Sequence, residues 1–307
     1  MSTNWVNWAS AMATVAFCIA AAQVPQRELP AKEKPPTVTL TFFAGDGHGN
    51  PIGAITQSDL SLLDNKMPPR SVVAIKTATE LPLRLGVLID TSSSEGRSGL
   101  HEPGAQAASD FLNQVLKGPE DRVFVVSFAT TVNGTGLMSR DELLKFKIDL
   151  TPGGGTALFD AVYFACKERM QADPAQPARR VLVILSDGGD NQSRVNHDQA
   201  IASAQKAGTV IFAVSTSENP NGNLDSRRLV QFADKTGGHA FLHLSGKDIP
   251  KAFSSIREQI ENMYAVTFVP ADFGQPGQYR SIELKMTSDK RVKLRAPKGY
   301  YVTAGVP

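Results

Sequence analysis

Cysteine is nearly absent: Cys18 and Cys166 are the only two in 307 residues, which excludes a disulfide-stapled scaffold. Neither sign of charge prevails. Thirty-two Lys and Arg against 30 Asp and Glu give +2, with no basic block and no acidic tail. Composition therefore offers nothing to nucleic acid or to an anionic membrane surface. The apolar run near the start, "NWASAMATVAFCIAAAQ", is too short to span a bilayer, and no later segment reads as a transmembrane helix. No internal repeat is visible. A nucleophile-elbow arrangement of Ser, His and acid is missing, as is a Cys/His pair suited to nucleophilic catalysis. What is present is ordinary for a globular protein, with 41% hydrophobic and 20% charged residues, and the length suffices for one large domain or two smaller ones.

The first 22 residues stand apart. Their apolar stretch ends in small residues, with Ala20 and Ala22 in an A-x-A arrangement, and reads as a secretory signal cleaved after Ala22. It departs from the usual signal in having no Lys or Arg ahead of the apolar core. Residues 23–36, "QVPQRELPAKEKPP", are Pro-rich and charged, as expected of an extended linker. Cleavage would leave Cys166 as the last cysteine, a small side chain expected to be buried in the apolar helix "ALFDAVYFACKERM".

From residue 37 to 80 the pattern is β: an alternating strand in "TVTLTFFAGDGHGNPIG", then "SDLSLLDN" and "RSVVAIKTA". From Leu81 the rhythm changes. The apolar runs "LRLGVLID", "RVFVVSFA", "RVLVILSD", "TVIFAVST" and "HAFLHL" alternate with helical segments. The helical segments are "EPGAQAASDFLNQVLK", "ALFDAVYFACKERMQ", "NHDQAIASAQKAG" and "DSRRLVQFADKTG". Strands apolar on both faces and separated by helices specify an α/β fold, a Rossmann-like, mostly parallel sheet flanked by helices. A closing helix, "DIPKAFSSIREQIENMY", carries Ile249, Phe253, Ile256 and Ile260 on one stripe. The remaining runs, "YAVTFVP", "YRSIELKMT", "RVKLRAP" and "GYYV", are β and have no place in the parallel sheet. The expected organisation is thus an α/β domain over 81–262, with a small β domain assembled from the N-terminal segment 37–80 and the C-terminal segment 263–303.

In an open parallel sheet the ligand site lies beyond the carboxyl ends of the strands. Asp90 closes one strand in "GVLIDTSSSEGRS" and Asp187 closes another in "RVLVILSDGGDN", so both acids emerge at one edge. Ser92 and Ser94 follow Asp90 at alternate positions, which in an extended loop point to one side. Thr156 follows three glycines in "TPGGGTALFDA", where the backbone can approach closely, and stands just before a helix. Two carboxylates and three hydroxyls, without sulfur or imidazole, are donors for a hard cation. Mg²⁺ takes such oxygens at about 2.0–2.1 Å and keeps water or other ligands in its remaining positions. The bland alternative is a polar cluster capping strand ends without a metal, but bare acids that converge without a cation repel each other.

Other motifs say less. "GDGHGN" at 45–50 lacks the Lys of a phosphate loop and the remaining acids of a calcium loop, and reads as a turn. "DGGDN" could offer Asp190 to a second metal, though a solvated turn is the better reading. His239 and His243 lie in a β-like run and are expected at the surface or the edge of the core.

The ordered set Asp90, Ser92 and Ser94 in "DTSSS", Thr156 in "GGGT" and Asp187 in "LSDG" resembles the metal-ion-dependent adhesion site of a von Willebrand factor A (VWA) domain. The resemblance covers roughly residues 81 to 262. With its flanks, the chain is similar to a group of secreted bacterial VWA-related proteins common in acidobacteria. The resemblance implies a non-enzymatic, exported protein, secreted or held in the periplasm or cell envelope. It implies a divalent cation, Mg²⁺ or else Mn²⁺ or Ca²⁺, held directly or through water by those five residues. One position would stay open for a carboxylate from a protein partner. Two alternatives remain: a metal-assisted hydrolase, for which Glu95 is the acid close in sequence that could serve as base, and a structural envelope protein whose metal stiffens the loops.

Overall fold

A computed structural model of the chain describes residues 36–46, 50–95, 101–147, 151–171, 177–217, 224–287 and 291–302. The expected signal and the expected linker up to residue 35 lie outside the described residues. In chain order, β1 (Val38–Gly45), β2 (Leu60–Asp64) and β3 (Ser71–Thr77) lead to β4 (Leu83–Asp90). Then come α1 (His101–Val115), β5 (Arg122–Phe128), β6 (Val132–Gly134), α2 (Arg140–Leu143) and α3 (Leu158–Phe164). They are followed by β7 (Arg179–Ser186), α4 (His197–Lys206), β8 (Thr209–Ser215), α5 (Leu224–Thr236), β9 (Ala240–Phe241) and α6 (Ile249–Glu261). The last elements are β10 (Met263–Val269), β11 (Tyr279–Met286), β12 (Lys293–Arg295) and β13 (Gly299–Tyr301).

Six strands form one sheet in the order β6-β5-β4-β7-β8-β9, parallel throughout except for β6, which runs antiparallel to β5 at one edge. The continuous apolar runs are explained by burial on both faces. Along β7, Val181, Val183 and Leu185 pack into a core completed by Phe111 and Leu112 of α1 and by Phe253, Ile256 and Ile260 of α6. The intervening Leu182 and Ile184 enter a second core with Val162 of α3, Ala204 of α4 and Phe232 of α5. Gly86 in β4 belongs to this second face, where a Cβ would collide with the side chains of Leu182 and Phe124. Cys166 is buried here as expected, with its thiol pushed up to about 12 by burial.

The flanks form two antiparallel sheets, β12-β1-β10-β3 and β13-β11-β2. Strand β10 pairs with β1 on one side (Val38 opposite Phe268) and with β3 on the other (Tyr264 opposite Thr77). A single residue, Asn262, separates it from the end of α6, and it is buried on both faces. Met263 and Ala265 join the α1/α6 core, whereas Tyr264, Val266 and Phe268 meet Phe42, Leu62, Ile282 and Tyr300 between the two flanking sheets. The flanking layers therefore share a strand's two faces with the α/β core rather than standing free of it. Between the flanking sheets, Arg280 is 1% exposed and binds the fully buried Asp64 in fork geometry, Nε to Oδ1 at 2.8 Å and Nη2 to Oδ2 at 3.0 Å. Its Nη1 reaches Asp272, and Tyr300 Oη points at the Asp64 carboxylate from 3.3–3.4 Å.

No helix among the described residues is long and apolar enough to cross a membrane. The run "HAFLHL" gives only the two-residue edge strand β9, because His243 takes a left-handed backbone (φ 56°) that ends the extension. Asp46 accepts from the Asn50 backbone N–H and side-chain amide, a local turn; residues 47–49 of "GDGHGN" lie outside the described residues.

Candidate metal centre

Strand pairing alone brings the two expected acids to one edge. Ile89 of β4 lies opposite Leu185 of β7, so Asp90 emerges level with Ser186 and next to Asp187. Asp90, 1% exposed, is fixed at both oxygens: Oδ1 accepts from the Ser92 N–H at 2.9 Å and Oδ2 from the Ser186 hydroxyl at 2.6 Å. Ser186 also accepts from the Gly188 N–H, which anchors the loop carrying Asp187. Asp187 is half-buried and its Oδ1 accepts from the Gly189 N–H at 2.8 Å.

The serines come together differently from the expectation. The segment after Asp90 is a turn, with the Glu95 N–H donating to Ser92 O at 3.1 Å, and not an extended loop. That turn sets the Ser92 and Ser94 hydroxyls 2.9 Å apart, Ser92 buried and Ser94 exposed.

Thr156 is buried on a loop tied to both acid-bearing loops. The Ser93 N–H donates to Gly154 O and the Gly153 N–H to Thr91 O on one side. On the other, the Thr156 N–H donates to Asn191 Oδ1, and its carbonyl accepts from the Asn191 and Gln192 N–H groups. Gly154 has φ +52°, and a Cβ there would run into the Thr130 hydroxyl, which accepts from the Gly155 N–H. A glycine is needed for the loop to close on its neighbours.

Glu95 enters the same cluster. The turn folds its carboxylate inward until it is 1% exposed. Oε1 accepts from the Asp187 N–H at 2.9 Å and from the Thr216 hydroxyl at 2.5 Å, stapling the β4, β7 and β8 strand ends together. Oε2 is buried and has no hydrogen-bond partner among the described residues. One carboxylate oxygen each from Asp90, Glu95 and Asp187 lie within 4.8 Å of one another. Among the described residues, the charges that act on Glu95 are those of Asp90 and Asp187, both negative. Unit charges at such a separation repel by about 3 kcal/mol at an effective dielectric of about 20. Burial, then Asp90, pushes Glu95 up to about 8, against the Thr216 hydrogen bond that lowers it. Burial also raises Asp90 to about 6, although bonds from Ser186 and Ser92 oppose it. An orphaned buried carboxylate oxygen among like charges, beside hydroxyls, fits a divalent cation of the oxygen-loving kind.

Asp190 is not part of this group: its carboxylate accepts from the Phe159 N–H at the start of α3 and from the Ser193 hydroxyl. His239 stacks edge-on against Phe241 with ring centroids 4.7 Å apart, and burial lowers it to about 4; His243 is exposed.

Residues 85–255, more than half of the sequence, match the von Willebrand factor type A domain model. The chain belongs to the von Willebrand factor type A domain family. In structure it is similar to a von Willebrand factor type A protein from Catenulispora acidiphila, with a TM-score of 0.50 and 15% identity over 81% of this chain and 74% of that one. It also matches proximal thread matrix protein 1 of the mussel byssus, in a structure with a zinc-occupied MIDAS motif (TM-score 0.48, 20% identity, 62% of this chain and 48% of that one). A third match is an aerotolerance-related membrane protein from Bacteroides fragilis (TM-score 0.44, 16% identity, 58% and 98%). No curated protein matches the sequence. In this von Willebrand factor type A domain the acidic cluster sits where the fold places ligands, beyond the carboxyl ends of β4 and β7.

Glu95 was the residue that sequence reasoning undervalued, considering it only as a candidate base for the hydrolase alternative. Ser186 and Thr216 were missed outright. A Ser directly before the strand-ending acid, in "LSDG", was the one local signal available for Ser186.

Proposed function

We propose that this chain is an exported, non-catalytic protein that grips a protein partner through a divalent cation, Mg²⁺ or else Mn²⁺ or Ca²⁺. Asp90, Ser92, Ser94, Thr156 and Asp187 would hold the ion directly or through water. One position would stay open for an acidic residue of the partner. The observation that carries this reading is the convergence of three carboxylates at the strand ends, two buried and one half-buried, with no cation beside them among the described residues. When bound, the ion supplies a positive docking point for a carboxylate.

The residues themselves divide by exposure. Asp90, Ser92 and Thr156 are buried and form the floor, whereas Ser94 is exposed and Asp187 half-buried, which marks the side open to solvent. An acid arriving there would gain a short, charge-assisted contact in a partly desolvated site. Dehydrating Mg²⁺ is costly, so the contact should matter only where the surrounding surfaces also fit. The hydrolase alternative is less well supported. Glu95, its one nearby base, is 1% exposed and has Oε1 already engaged with Thr216 and Asp187, so it has little access to a substrate-side water.

The test is capture of a partner from envelope extracts in Mg²⁺ or Mn²⁺, followed by EDTA. Capture should be lost in EDTA, return with the cation, and be absent for Asp187→Ala. A partner whose affinity ignores EDTA would refute the cation as the grip, and turnover of a substrate that chelation abolishes would favour the hydrolase.

A further inference from the structure

We propose that Glu95 is a third carboxylate of the cation site, acting on the ion from its buried side. The proposal deepens the cation reading above and rests on it. Three observations meet at this side chain. First, one of its oxygens lies within 4.8 Å of a carboxylate oxygen on each of Asp90 and Asp187. Second, the carboxylate is anchored at one end only: Oε1 takes the Asp187 N–H and the Thr216 hydroxyl, while Oε2 is buried with no partner among the described residues. Third, the side chain is 1% exposed, so bulk water does not compensate the unpaired oxygen.

In its ionised form a buried carboxylate oxygen without a donor is costly, and two neighbouring carboxylates make it more so, so the charged form of Glu95 calls for a cation. A staple between strand ends needs an acceptor but no charge, so a glutamine would serve with less repulsion. The charge is accounted for if it faces a cation. The site then presents three negative charges instead of two, which strengthens its hold on a dication. Being on the floor, Glu95 leaves the exposed side, by Ser94 and Asp187, free for an outside ligand.

The role separates charge from shape, and two substitutions pull these apart. Glu95→Gln keeps the length and the Oε1 acceptor but removes the charge; Glu95→Asp keeps the charge but shortens the reach. Mn²⁺ affinity by calorimetry, with the melting temperature of the EDTA-treated proteins, reads both. The expected order is wild type, then Glu95→Asp, then Glu95→Gln, with the glutamine variant weaker by about tenfold or more. Without metal, Glu95→Gln should melt at or above the wild-type temperature. If Glu95→Gln binds Mn²⁺ like wild type while Glu95→Asp is weakened, Glu95 is a staple only and the proposal fails. Asp90→Asn distinguishes the two levels. Loss of binding there, with Glu95→Gln unaffected, rejects the role of Glu95 and keeps the site. Undiminished binding in Asp90→Asn and Glu95→Gln alike rejects both.

Discussion

The chain buries charge in two places and treats it in opposite ways. Between the flanking sheets, Arg280 meets Asp64 through two parallel N–H···O bonds, with Asp272 and Tyr300 completing the set. Burial alone would lower the Arg280 pKa, but the hydrogen bonds from its guanidinium to Asp64 and Asp272 prevail and raise it. At the carboxyl ends of β4 and β7, Asp90, Glu95 and Asp187 gather charges of one sign, and burial raises both Asp90 and Glu95. The first cluster has found its counter-charge inside the chain and belongs to the architecture. The second has no counter-charge among the described residues, as the proposed cation site requires. Whether buried carboxylates are matched from within is what separates the structural ion pair from the proposed cation site.

The largest effect expected from this contrast is at the matched cluster. Arg280→Met leaves Asp64 buried and unpaired, which should cost about 3–5 kcal/mol of stability. Denaturant unfolding measures it, and the loss should be the same with and without Mg²⁺. A cost below about 1 kcal/mol would mean that Asp64 finds other partners and that the two clusters differ less than the geometry implies.

The unmatched cluster should show itself through pH. Asp90 and Glu95 have folded-state values of about 6 and about 8, raised from 3.8 and 4.5. Between those values the folded protein retains protons that the unfolded chain has lost. The contribution of these two groups to the stability of the metal-free protein should therefore be fully present at low pH and fall as pH rises from about 4 to about 8. Saturating Mg²⁺ or Mn²⁺ should flatten that limb, because the cation takes the place of the protons. Melting curves in EDTA and in excess cation across this range would show it; parallel curves would contradict it.

A smaller effect, opposite in sign to that of Arg280→Met, is expected from Asp187→Asn. Removing one like charge from a half-buried position should raise metal-free stability by up to about 1 kcal/mol. The amide oxygen can still accept from the Gly189 N–H, so the loop should keep its shape. A clear destabilisation in EDTA would indicate that Asp187 supports the loop in a way the like-charge picture omits.

Much of the fold was legible because burial on both faces leaves a strong local signature. The run "LRLGVLID" is β4 from Leu83 to Asp90, and "RVLVILSD" is β7 shifted by one residue, because apolar residues facing two cores cannot belong to an exposed element. Strand β6 and helix α2 span three and four residues, too few to leave a period. The acids at the strand ends were legible for the same reason as the strands. Glu95 was not, since its inward turn is held by Gly153 and Gly154 some sixty residues away and its anchor, Thr216, is more distant still. A side chain's exposure after a loop is decided by such distant clamps, and the local sequence does not record them.

The central claim is that the like-charge cluster is a cation site, and calorimetric titration of Mn²⁺ into EDTA-stripped protein, repeated with Asp90→Ala, tests it most directly. The account predicts one strong site in the wild-type chain and none in the variant, with the wild-type melting temperature rising on addition of the ion. Equal affinity in the two proteins, or no binding to either, would contradict it.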